Sequence, residues 1–128
     1  MLKVILEEKD GELTLKLDGH AGQADIGKDI VCSACTILAY TVAQIVSDEE
    51  ANDGLECPPV INLKIGNSVI SCKPKEDSYQ NLWHTYYVAG TGYKLLAHNY
   101  PQYVEFYTVW NGESRKYKPK ESLTKEQE

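Results

Sequence analysis

The run from Ile30 to Ala51, IVCSACTILAYTVAQIVSDEEA, holds neither proline nor glycine and is the most apolar helix-like stretch in the chain. On a helical period, Ile30, Val31, Ala34, Ile37, Leu38, Ala39, Val42, Ala43, Ile45 and Val46 take up most of the circumference. Ser33, Thr36, Tyr40, Gln44 and Ser47 are left as a narrow polar stripe. Such a helix must be covered on more than one side. A sheet, a second helix and a partner subunit are the candidate covers.

The rest of the chain supplies the first two. LKVILEE and ELTLKLDG alternate apolar and polar around KDGE, which predicts an antiparallel hairpin. After the turn-rich loop ANDGLECPP, the segments VINLKIG and SVISCKP flank Gly66-Asn67 as a second hairpin. DSYQNLWHTYYVAGTGYKLLAHNYP reads as a second helix, with Leu82, Tyr86, Leu95 and Leu96 among its apolar positions, Gly90 and Gly92 weakening its middle and Pro101 marking its end. QYVEFYTVW follows as a last strand. The order is ββαββαβ, an α+β fold in two layers with two helices on a mostly antiparallel sheet. Residues 1–110 form the single domain, and 111–128 read as a charged, flexible tail.

A chain of 128 residues buries roughly two-thirds of its unfolded surface, enough for a core without staples. A formal charge of −6 argues against a general phosphate-binding surface, so no nucleic-acid partner is expected. No stretch is expected to span a bilayer, and MLKVILEEKDGE lacks the pattern of a signal peptide, so the expected location is cytoplasmic, without a membrane partner. In that setting Cys32, Cys35, Cys57 and Cys72 are expected as free thiols. Cys57 and Cys72 form no second C-x-x-C, and His84 and His98 stand far from any cysteine, so neither a metal nor another cofactor is expected. The aromatic cluster from Trp83 to Trp110 is read as core or interface.

The chemistry lies in GHAGQADIGKDIVC, with His20 at one end and Cys32 at the other. A cysteine attacks as its thiolate, and an ordinary thiol with a pKa of about 8.5 is mostly protonated at neutral pH. A helix start favours the anion through its unpaired N–H groups. Asp29 is a good N-cap, which would place Cys32 in the first turn, at N3. His20, at the end of the preceding strand, would fold back to take the thiol proton. Gly19, Gly22 and Gly27 make the intervening loop a candidate flap or a simple surface loop. The bland alternatives are a cysteine buried as a small hydrophobe and a surface histidine.

Gly19, His20, Ala21 and then Gly27, Asp29, Ile30, Val31 and Cys32 resemble the motif of the ribosomal-processing cysteine proteases called Prp, in the same order and with the same His-to-Cys spacing. The likeness in element order extends over about residues 1 to 109. It implies Cys32 as nucleophile and His20 as general base, then acid to the leaving amine. Asp29 would cap the helix or orient His20, and backbone N–H groups of Cys32 and neighbours such as Ser33 would receive the oxyanion. Thr36 stands where the family has Ser and keeps the hydroxyl, whereas Cys35 replaces a small apolar residue and the tail from Asn111 has no counterpart. The resemblance further implies a homodimer and, as substrate, the N-terminal extension of the twenty-seventh large-subunit ribosomal protein, with phage structural proteins as another protein substrate. Two rival classes stay open: a thiol-disulfide redox protein using Cys32-Ser33-Ala34-Cys35, and a non-enzymatic dimeric interaction domain.

Overall fold

The computed structural model describes residues 1–19, 26–64 and 66–119, with the backbone alone for 26–29. Its elements are β1 (Leu2–Lys9), β2 (Glu12–Gly19), α1 (Ile26–Ala51), β3 (Val60–Lys64), β4 (Asn67–Cys72), α2 (Glu76–Asn99), β5 (Val104–Trp110) and β6 (Glu113–Lys116). The strands form one sheet in the order β3-β4-β2-β1-β5-β6. Every pairing is antiparallel except β1 with β5, which α2 joins to the earlier strands as a crossover. The two-layer α+β reading holds, with one strand added.

Alternation decides which sheet face is covered. Leu2, Val4 and Leu6 of β1 and Leu13, Leu15 and Leu17 of β2 are buried under the helices, while their neighbours point the other way. The register follows from the turn: Asp10 (φ +52°) and Gly11 (φ +82°) close Lys9 onto Glu12 in a two-residue loop whose positive dihedrals match the strand twist. In the second hairpin the turn falls one place earlier than Gly66-Asn67, since Asn67 already pairs with Lys64. Gly66, at φ +82°, still supplies the conformation that favours glycine.

Residues 113–116 correct the expectation of a tail from 111. Asn111 (φ +50°) and Gly112 (φ +86°) turn the chain back so that β6 pairs with β5, Trp110 opposite Glu113 and Tyr107 opposite Lys116. Asn-Gly between extended segments is among the strongest short-range hairpin signals. The charge of SRK hid it, because a two-layer fold tolerates a polar edge strand exposed on its outer side. Residues 120–128 lie outside the described residues.

Helix α1 buries Val31, Cys35, Ala39, Val42 and Val46, and exposes the whole predicted polar stripe of Ser33, Thr36, Tyr40, Gln44 and Ser47. Contrary to expectation, Ile30–Ala51 is long and apolar enough by composition to cross a membrane. Ala and Cys add to the hydropathy of its Ile, Val and Leu residues, and its acidic residues are confined to its last turn. Here it lies against α2 and the sheet. Gly90 and Gly92, expected to weaken α2, are where that helix comes close to β1 and to α1. A Cβ at Gly90 would stand 2.8 Å from Leu6 Cδ2, and one at Gly92 the same distance from Leu38 Cδ1. Glycine's cost of about 1 kcal/mol in a helix is offset by the approach of α2 to β1 and to α1. Tyr86, Tyr93 and Phe106 of the aromatic cluster belong to this core, whereas Trp83 stacks on exposed Tyr87 with ring centroids 5.0 Å apart.

Candidate active site

At one pole of the sheet, β2 hands the chain to α1, and the end of β2 is fixed there from three sides. Gly19 pairs with Leu2, its N–H donates to the Gly66 carbonyl at 3.0 Å, and the Leu2 N–H donates to the Tyr103 carbonyl at 2.8 Å. Gly19 has φ +99°, and a Cβ there would stand 2.5 Å from the Met1 carbonyl oxygen. Both conditions demand glycine. His20, the next residue, lies outside the described residues, as do Ala21 and Gly22. Gly19 is therefore a strand terminus and not part of a loop, and it sets the point from which His20 departs.

The helix begins earlier than expected. Asp29 and Gly27 both lie within α1, which opens at Ile26, so the N-cap assigned to Asp29 is displaced and Gly27 belongs to the first turn. The side chain of Asp29 is outside the described residues. Cys32 falls in the second turn, six residues after Ile26. Its N–H and that of Ser33 lie inside the i→i−4 ladder. The favourable field of a helix N-terminus fades beyond the first turn, so Cys32 lies outside its strongest part.

Cys32 is exposed, and Cys35, one turn on, is 2% exposed. Thr36 is exposed four residues from Cys32, so its hydroxyl shares that helix face; Ser33 is exposed beside them. Burial, with the nearby Cys32 thiol adding a smaller push, raises the Cys35 pKa to about 12. Burial likewise raises Cys72 to about 11, although the hydrogen bond from the Tyr86 hydroxyl pulls the other way. At neutral pH both are un-ionised hydrophobes, and the exposed thiols are Cys32 and Cys57.

One supporting residue escaped the sequence reading. Tyr93, fully buried on α2, donates its hydroxyl to the Cys35 carbonyl at 2.9 Å and ties α2 to α1 one turn beyond Cys32. Burial holds its phenol well above the usual range. Its only signal in sequence was an apolar helical position filled by an aromatic with a polar tip, which a buried site must satisfy. His98 is half-buried, with Nδ1 3.2 Å from the Tyr117 hydroxyl, and His84 is exposed beside Trp83. Among the described residues, no three His, Cys, Asp or Glu side chains are grouped to hold a metal ion.

Solved structures share this architecture. SMU.848 from Streptococcus mutans superposes with a TM-score of 0.57 at 22% identity over 86% of this chain and 95% of its own. The essential ribosomal processing protease Prp from S. aureus, in complex with a substrate peptide, gives a TM-score of 0.62 at 14% identity over 84% of this chain and 99% of its own. Its complex with a covalently linked product peptide gives 0.59 at 20% identity over 85% and 99%. Comparison with curated protein sequences gives no significant match. The family model described as cysteine protease Prp matches residues 1–105, a span that holds the fixed end of β2, His20 and the exposed thiol of Cys32. The chain is a cysteine protease and belongs to the Prp family.

Proposed function

We propose that the protein is a ribosomal-processing endopeptidase in which Cys32 and His20 act as a dyad on the N-terminal extension of a large-subunit ribosomal protein precursor, the twenty-seventh. His20 takes the Cys32 thiol proton as Sγ attacks the scissile carbonyl carbon. The tetrahedral oxyanion collapses with cleavage of the C–N bond, and the proton passes from His20 to the leaving amine. Water, deprotonated by His20, then releases the acyl group from Sγ. Backbone N–H groups around the start of α1 stabilise the oxyanion. Asp29 orients His20, and Thr36 keeps a hydroxyl beside the nucleophile.

The observation that carries this reading is the contrast between an exposed Cys32 and a buried Cys35 inside the residues matched by the family model. The same contrast weighs against the thiol-disulfide reading. A resolving thiol must ionise to attack, and one with its pKa raised to about 12 rarely does so at neutral pH. The exposed apolar residues Ile37, Tyr40, Val88 and Leu95 on the outer helical layer support a homodimer, and the cellular setting in this proposal is cytoplasmic. A phage structural protein is the alternative substrate. The test is incubation of precursor-derived peptides with the reduced protein and with Cys32→Ala, His20→Ala and Cys35→Ala, followed by mass spectrometry. Loss in the first two and retention in the third is expected. Cleavage that survives Cys32→Ala would overturn the assignment.

A further inference from the structure

The strand that the sequence hid builds a cavity that the family-matched part of the chain does not contain. The family model ends at residue 105, and the chain then continues through the Asn111-Gly112 turn into β6 and on to Pro119. This strap is held at several points. The Tyr117 N–H donates to the Phe106 carbonyl at 2.8 Å, its hydroxyl meets His98 Nδ1 at 3.2 Å, and the Lys94 ammonium lies 5.8 Å from its ring centroid. Lys116 is neutralised by Glu105 at 2.7 Å. Between the strap and the body lies a cavity of about 310 Å³, with Met1, Ala97 and Val104 among its apolar lining and Tyr117 and Pro119 contributed by the strap. Its size is at the lower end for a ligand site, on the order of 300–1,000 Å³, which leaves room for a bulky apolar side chain together with its flanking backbone.

Its place in the sheet relates it to the cysteine site. Gly19, Leu2 and Val104 form one row across β2, β1 and β5, because Leu2 pairs with both of the others. Neighbouring strands are about 4.8 Å apart, so Val104 is about 10 Å from Gly19, and the cavity opens just beyond it. Extended peptide advances about 3.3 Å per residue, so three to five residues cross that distance.

We propose that this cavity is a specificity subsite that takes an apolar side chain of the substrate, three to five residues from the bond cleaved at Cys32. The proposal rests on the peptidase reading given above. The apolar lining supplies the attraction; at the rim Lys116 is paired with Glu105, and Lys118 adds a positive charge that disfavours a basic side chain.

The first test needs no substrate. The methyl NMR signals of Met1, Ala97 and Val104 are followed in the full-length protein during titration with N-acetyl-leucine amide and, separately, N-acetyl-aspartic acid amide. Saturable shifts with the leucine probe alone are expected. Absence of shifts at these methyls, or equal shifts with both probes, would overturn the proposal whether or not the protein cleaves peptides. The second test uses a cleaved peptide with Leu or Asp at each position in turn. One position three to five residues from the bond is expected to favour Leu by roughly tenfold or more, and the preference is expected to fall to about twofold in Tyr117→Ala. A preference retained in full by Tyr117→Ala would overturn the assignment. Probe binding in a protein that cleaves no peptide would instead strike the peptidase reading, and the substrate assignment with it.

Discussion

Replacing Gly19 by alanine tests whether the end of β2 is fixed as tightly as its geometry states. Two costs are involved, and the chain contains a control for one of them. Gly11 also has positive φ, at +82°, but a Cβ there would meet nothing within 4 Å. Gly11→Ala therefore reports backbone strain of about 1–3 kcal/mol, less about 0.4–1 kcal/mol gained from a less flexible unfolded chain. Gly19→Ala adds a collision with the Met1 carbonyl oxygen at 2.5 Å, and that atom belongs to backbone anchored by the hydrogen bond from the Leu2 N–H to Tyr103. Overpacking against a rigid neighbour costs about 1–3 kcal/mol more. With a urea m-value of about 2 kcal/mol/M, the midpoint of Gly19→Ala should fall about 0.5–1.5 M below that of Gly11→Ala. Peptidase activity should fall with it, because His20 departs from this residue. Midpoints equal within about 0.2 M would mean that the Met1 carbonyl moves aside freely, and the argument for a fixed departure point would fail.

Three further outcomes follow from the core. Iodoacetamide at neutral pH should alkylate Cys32 and Cys57 in the folded protein and leave Cys35 and Cys72 unmodified, as peptide mass mapping would read; rapid labelling of Cys35 would contradict its burial. Stability should decline in alkali. Cys35 and Cys72 have folded pKa values raised to about 12 and about 11, so their neutral thiols favour the folded state in full below about pH 9, and that contribution is lost as the pH rises through the folded values. The loss is on the order of 2 kcal/mol per thiol at pH 10.5, and a flat urea midpoint between pH 8 and 10.5 would refute it. Tyr93→Phe should cost about 1 kcal/mol, since the Cys35 carbonyl keeps its helical partner and only the phenol's hydrogen bond is lost; no change in the urea midpoint would show that this bond does not help to hold α2 on α1.

Much of the fold was legible because each element carried its own signal. The alternation of Leu13, Leu15 and Leu17 fixed the covered face of β2, and the proline-free apolar run gave α1 with its exposed stripe intact. What could not be read depends on neighbours distant in sequence. Gly90 and Gly92 look like weaknesses until Leu6 and Leu38 are in place, and Tyr93 looks like any core aromatic until the Cys35 carbonyl stands opposite. β6 was readable from Asn111-Gly112 but masked by charge. At the site, the cysteine motif identified the exposed nucleophile candidate, while the helix start moved from Asp29 to Ile26, because a good capping residue is no bar to helical backbone when the chain ahead of it also folds into the first turn.

The central claim is that Cys32 is the attacking atom of a peptide-bond hydrolysis. The most direct measurement is intact-mass analysis of the protein during turnover of a ribosomal-precursor peptide, beside Cys32→Ala and Cys35→Ala. A transient acyl adduct that maps to Cys32 is expected in the parent and in Cys35→Ala, with cleaved peptide accumulating in both, and neither adduct nor cleaved peptide is expected in Cys32→Ala. Cleavage by Cys32→Ala at the parental rate, or an adduct that maps to another cysteine, would contradict it.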